Sequence, residues 1–178
     1  MDEKTQVIIK TDCLGKTVVV IPHILFSGKR AIDWNHVEEY LLRYVGNKIQ
    51  TQDECDVIRI SGDFPDEYKE SRYTRSSKGM NAKAKANAAQ GIAEMIQIAD
   101  SKQWQSNRKG KHEYDASKGW YRYHTRFALP VMNREGDILC FNIFSATLLV
   151  RHAKNDKLYL YDLQGIKKEG SNPPWTIG

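Results

Sequence analysis

A chain of 178 residues with 40% hydrophobic and 28% charged side chains has the size and composition of one globular domain, and its 12 Gly and 5 Pro exclude a linker-dominated or low-complexity polypeptide. The formal net charge is +5, but it is unevenly spread: residues 1–68 hold 8 Lys and Arg against 12 Asp and Glu, residues 69–126 hold 13 against 5, and residues 127–178 hold 6 against 5. Positive charge concentrated in the middle third attracts polyanions at long range, or simply keeps a solvated surface soluble.

The β-branched segments QVIIK (6–10) and TVVVI (17–21) flank Gly15 and predict an opening hairpin. Asp33 is placed to cap a helix running to about Val45, with Val37, Tyr40, Leu41 and Tyr44 at spacings of three and four and Gly46 ending it. VIRI (57–60) fits a short strand, and the following GDFPDEYKESRYTRSSKG has the Gly, Pro and Ser content of a surface loop. From Asn81 to Asp100, Ala84, Ala88, Ile92, Met95 and Ala99 make one stripe on an Ala-rich helix. A polar stretch near 101–118 reads as a loop. Three β-like segments come next, near 119–132, 137–152 and 157–163, with turns at Gly136 and at Lys154, Asn155 and Asp156. Helices early and strands late predict one α+β domain over residues 1–178, its N-terminal helices packed on one face of an antiparallel meander sheet. The alternating order of a nucleotide-binding fold, a glycine-rich phosphate loop and internal repeats are not found.

Cys13, Cys55 and Cys140 are odd in number and far apart, matching neither a disulfide framework nor paired zinc-ligand spacing, so a reducing compartment is expected. The sequence does not begin with an apolar run like that of a signal peptide. No stretch reaches the ~20 apolar residues that span a bilayer, so the expected location is cytoplasmic, without a membrane partner.

In GWYRYHTRFALPV the alternation of a strand puts Trp120, Arg122, His124 and Arg126 on one face and Tyr121, Tyr123, Thr125 and Phe127 on the other. If the second row meets the helices, the first offers guanidinium groups for phosphates and a flat ring for unpaired bases, which suits single-stranded RNA; the alternative is a half-exposed sheet with ordinary surface cations. His23, His36, His112, His124 and His152 make no metal-ligand spacing, so neither a metal nor another cofactor is expected. His112 stands out because its polar loop, KGKHEYD, surrounds it with Lys109, Lys111, Glu113 and Asp115. An imidazole there can move a proton at neutral pH, as RNA cleavage by a 2′-hydroxyl requires. Lys83 and Lys85 lie about 200° apart around their helix, so only one can face a given groove. Arg151 and His152 take opposite faces of their strand, and Arg151 is the one assigned to the Arg122 side.

The blocks KAKANAAQ, KHEYDASKGWYRYHTRFALPV, NIFSATLLVRHAKNDKLYLYD and IKKEGSNP, in that order over about residues 33–175, resemble a phage-associated nuclease-like family of phage and mobile-element proteins from Gram-positive gut bacteria. That family is grouped with the barnase, EndoU, colicin and RelE ribonucleases in the BECR fold. The resemblance implies helices on an antiparallel sheet of four or more strands and metal-independent cleavage of RNA to a 2′,3′-cyclic phosphate. It makes His112 the general base or acid, with Lys85, Arg122 and Arg151 stabilising the phosphorane. Lys83, Lys111, Lys118, Trp120, His124 and Arg126 are the expected RNA contacts; where this chain has His124 the family often has an acidic residue, which makes His124 a poor candidate for an essential catalyst. Beyond RNA, a protein inhibitor or another phage protein is the partner implied.

Overall fold

A computed structural model describes residues 6–28, 30–106 and 116–175. β1 (Ile8–Thr11) and β2 (Thr17–Val20) form the expected opening hairpin, pairing from Ile8 opposite Val20 to Thr11 opposite Thr17. Gly15 takes the left-handed φ of 82° that the turn requires, and Asp12 Oδ1 closes it by accepting from the Leu14 and Lys16 amides, each at 2.9 Å. α1 (Trp34–Leu41) begins where Asp33 accepts from the Asn35 and His36 amides, and it tightens into a 3-10 turn over 42–44. β3 (Lys48–Gln50) and β4 (Val57–Arg59) make a second hairpin.

Residues 62–79 fold differently from the loop expected of them. They form α2 (Phe64–Glu70) and α3 (Arg72–Ser76), anchored by the buried Phe64 and Tyr68. The residues that resemble loop punctuation are helix starts: Pro65 lies in the first turn of α2, where a missing N–H breaks no hydrogen bond, and Ser71 caps α3 by accepting from the Thr74 amide at 3.2 Å. The helix expected over 81–100 is divided into α4 (Gly79–Ala88) and α5 (Ile92–Gln97) by a 3-10 turn at Ala89–Gly91. Gly91 explains the break, since a β-carbon there would come within 3.0 Å of Val19 Cγ1 and 3.3 Å of Ile21 Cδ1. Bringing the helix this close to the sheet needs a residue without a side chain, and glycine also weakens the helix.

β5 (Asp100–Gln105) occupies the start of the supposed 101–118 loop. The meander follows as β6 (Trp120–Met132), β7 (Ile138–His152) and β8 (Leu158–Asn172). β8 runs well past residue 163, where polar residues and register shifts against β7 hide the alternation of a strand. The sheet order is β1-β2-β6-β7-β8-β4-β3, with β5 also on β6. β6, β7 and β8 are antiparallel, but β2 runs parallel to β6 and β4 parallel to β8, so the sheet is mixed and not a pure antiparallel meander. The chain is thus α+β, and no helix among the described residues is long and apolar enough to cross a membrane.

The main core joins Val37 and Leu41 of α1, Phe64 and Tyr68 of α2, and Ile92, Met95 and Ile96 of α5 to Tyr123, Phe127, Phe144, Leu148 and Leu163 of the meander. A smaller cluster of Val18, Val20, Ala128, Phe141 and Ile143 is covered in part by Trp175. Inside the main core lies an ion pair: Lys85 of α4 and Asp162 of β8 both have side chains at 0% exposure. The ammonium also donates to Thr74 and Ser71, and Gln164 donates to the second carboxylate oxygen at 3.1 Å.

Truncating one member of such a pair leaves a buried charge without a partner, whereas replacing both by apolar residues does not. Lys85→Ala is expected to lower unfolding free energy by roughly 3–5 kcal/mol in urea titrations, while Lys85→Met combined with Asp162→Leu stays within about 2 kcal/mol of the parent. A mild effect of Lys85→Ala would show that the pair does not hold α4 to β8.

Candidate nucleic-acid interface

Strand alternation and register build one lengthwise row on β6. Trp120 stands opposite Arg151 of β7, Arg122 opposite Leu149, His124 opposite Thr147 and Arg126 opposite Ser145. On the other edge, Gln105 of β5 faces Trp120, Gln103 faces Arg122 and Asp100 faces His124. Tyr123, Thr125 and Phe127, on the alternate face, are buried.

The row begins with aromatic rings and ends in ion pairs. Trp120 meets the Tyr161 ring edge-on at 5.0 Å. Trp104 pairs with Tyr121 and so belongs to the alternate face; it is 58% exposed, its indole donating to the Lys118 carbonyl at 2.9 Å and its ring lying over Gly119, where a β-carbon would come within 2.7 Å of Nε1. Arg122, half-buried, donates from Nε to Gln105 at 3.2 Å, a neutral partner that leaves its charge uncompensated by this contact. His124 is exposed, and its Nδ1 lies 3.3 Å from Asp100 Oδ1. With Nδ1 donating to that carboxylate, Nε2 keeps the lone pair a general base needs. His124 and Asp100 line a polar cavity of about 680 Å³ together with Lys16, Gln52, Asp53 and Arg126.

Several residues expected to act on RNA have other duties. Arg126, expected as an RNA contact, is 6% exposed: it pairs with Asp12 at 2.6 Å and Glu169 at 2.9 Å and donates to the Thr17 carbonyl at 2.9 Å. Lys85, expected to steady a phosphorane, is enclosed with Asp162, where burial pushes its ammonium below the usual lysine range against the pull of the carboxylate. Arg151 is 8% exposed, reaches Ser61 at 3.1 Å and Asp63 at 3.4 Å, and lies over the Tyr159 ring at 4.6 Å. Lys118 is exposed and paired with Asp156 at 3.0 Å. Lys83 is exposed on α4, in a cavity that none of the β6 row lines. His112 and Lys111 lie outside the described residues. Thus Trp120, Arg122 and His124 share one accessible row, and Lys85 does not join them.

Lys16, Asp100, Trp104 and Gln105 were not singled out by sequence. Three of them belong to β5, whose polar composition hides it, and Lys16 reaches the cavity only through the pairing of β2 with β6. The one available signal was an isolated tryptophan in a polar stretch. No protein-family model, curated protein or solved structure matches the chain.

The Asp12–Arg126 pair makes stability depend on acid. Burial disfavours the Asp12 carboxylate, but Arg126 and the Lys16 and Leu14 amides outweigh it and hold the carboxyl below its usual range. The unfolded chain therefore takes up this proton first on acidification, so the contribution is complete above about pH 4 and is lost as pH falls through the lowered native value. Urea unfolding between about pH 6 and pH 2.5 is expected to show Asp12→Asn losing less stability over that range than the parent; equal losses would remove this pair as a source of acid sensitivity.

Proposed function

We propose that the chain holds single-stranded RNA along the Trp120–His124 row and cleaves it without a metal, by attack of a 2′-hydroxyl on the neighbouring phosphorus. One observation carries this reading: an exposed imidazole oriented by a carboxylate lies two strand positions from an arginine with a neutral partner, at the rim of a polar cavity. Trp120 offers a ring on which a base stacks, and Arg122 offers a fork that grips phosphate through two hydrogen bonds.

In the proposed reaction one imidazole, from His124 or His112, takes the 2′-hydroxyl proton as the new P–O bond forms. The bond from phosphorus to the 5′-oxygen breaks, and the second imidazole gives that oxygen a proton. The products are a 2′,3′-cyclic phosphate and a 5′-hydroxyl, and Arg122 stabilises the charge gathering on the phosphorane. The resemblance to BECR-type nucleases favours the same chemistry, and the common cluster formed by the buried residues of α1, α2 and α5 favours helices on one face of the sheet. Lys85 and Arg151 then act by shaping the sheet.

Incubated with mixed-sequence single-stranded RNA in chelator, the parent protein is expected to yield cyclic-phosphate ends, and His112→Ala and His124→Ala each to reduce the rate by roughly 10²–10⁴-fold. RNA left intact by the parent would remove the enzyme. Full activity in one histidine variant would remove that histidine alone.

A second reading, a module that binds RNA without cutting it, is favoured by the burial of Lys85 and Arg151, which takes two of the groups expected at the phosphorane out of the row's reach. It is expected to give salt-sensitive binding without products, with Arg122→Ala making the log–log salt dependence shallower by about 1. Absence of RNA binding at low salt would turn the face toward an acidic protein, such as an inhibitor or a phage component.

A further inference from the structure

Away from the β6 row, a cavity of about 610 Å³ lies between the loop before α1 and the start of α4. Arg30, Lys78 and Lys83 line it, with Ser77 and Trp34, and no acidic residue does. All three cations are exposed, and among the described residues their side chains make no ion pair or hydrogen bond. They differ in this from Lys69, Lys85, Lys102, Lys118, Arg126 and Arg151, each of which has a carboxylate within 4 Å. The first turn of α4 has no side-chain cap, so its free amide dipoles add to the positive potential of the same cavity.

A second cavity, of about 480 Å³, shares Ser27 and Lys83 with the first. Its walls are apolar, from Met80, Leu129, Pro130, Met132 and Phe144, and Asn142 supplies an amide. The two together make a cationic chamber joined to an apolar one at Lys83, each within the usual volume range of small-molecule sites.

We propose that this paired cavity binds a nucleoside polyphosphate, with the phosphates among Arg30, Lys78 and Lys83 and the base against Met80, Leu129 and Met132. Three uncompensated cations match the charge of a di- or triphosphate better than that of a single phosphate, and a flat heterocycle fits an apolar chamber that offers one amide. The site is separate from the RNA face and does not depend on the RNA reading.

The test is titration of the full chain at low salt with ATP, GTP, AMP, pyrophosphate and adenosine, followed by calorimetry and by tryptophan fluorescence with Trp34→Phe as the signal control. The triphosphates are expected to bind about tenfold or more tightly than AMP. Lys83→Ala and Arg30→Ala are each expected to weaken ATP by about tenfold without moving the melting temperature, since both side chains are exposed. Met132→Ala should weaken ATP while leaving pyrophosphate unchanged. The proposal is overturned if no triphosphate binds at about 1 mM, or if Lys83→Ala and Arg30→Ala together leave binding unchanged. It is equally overturned if Arg122→Ala abolishes nucleotide binding, which would move the ligand to the β6 row, or if 5′-triphosphorylated RNA binds where free nucleotides do not.

Discussion

The helical half of the chain is held to the sheet by a lysine and an aspartate that water does not reach. A charge at that depth is tolerated only beside its opposite with its remaining donors and acceptors met, so Lys85 and Asp162 dictate the placement of everything that touches them. Thr74 of α3 accepts from the ammonium, Tyr68 of α2 donates to the Lys85 carbonyl, and Thr74 donates in turn to the Tyr68 carbonyl. Tyr73 extends the network by accepting the Ile166 amide of β8 at 2.9 Å. Four elements thus meet at one buried polar point. Its effect is selective: apolar side chains could fill the space with similar stability, but they would not require this one arrangement of α2, α3, α4 and β8.

With the helices fixed, β6 becomes the strand on which the candidate site is built. One of its edges carries β7 along almost its full length, while the other changes partner, pairing with β5 antiparallel up to His124 and with β2 parallel from Phe127. Two strands that end facing each other along one edge leave backbone unpaired between them. The polar cavity at His124 occupies this interval, and Arg126 reaches across it to the Thr17 carbonyl and the Asp12 carboxylate. The cleft is therefore a product of topology: the turn of the first hairpin and the end of α5 meet there because β2 and β5 compete for the same strand edge.

Local signals carried the sequence reading as far as contacts between near neighbours reach. Asp33 marks the start of α1, Gly15 the first turn, and the alternation through 120–127 separates the buried Tyr123, Thr125 and Phe127 from the outward row. Failure came where one residue type has two meanings. Pro65 and Ser71 look like loop punctuation and act as helix starts, and Gly91 sits silently within an Ala-rich run until β2 is brought against it. β5 and the far end of β8 have polar outer faces and no hydrophobic period. The site suffered most, since the partners that decide whether a cation is available, Asp12 for Arg126 and Asp162 for Lys85, are 114 and 77 residues away.

That distance accounts for the uneven charge of the sequence. The acidic first third and the basic middle are partners in the folded chain: Asp12 neutralises Arg126, Asp56 and Glu54 lie at Lys102, and Glu38 lies at Lys69. Linear charge density therefore overstates how basic the surface is, because burial and pairing remove cations from any binding role. Among the cations without a carboxylate within 4 Å, Arg122 stands on the β6 row and Arg30, Lys78 and Lys83 line one cavity at the start of α4. The strength of an electrostatic footprint lies in cations that the fold both leaves without acids and gathers around one cavity, as it does with Arg30, Lys78 and Lys83.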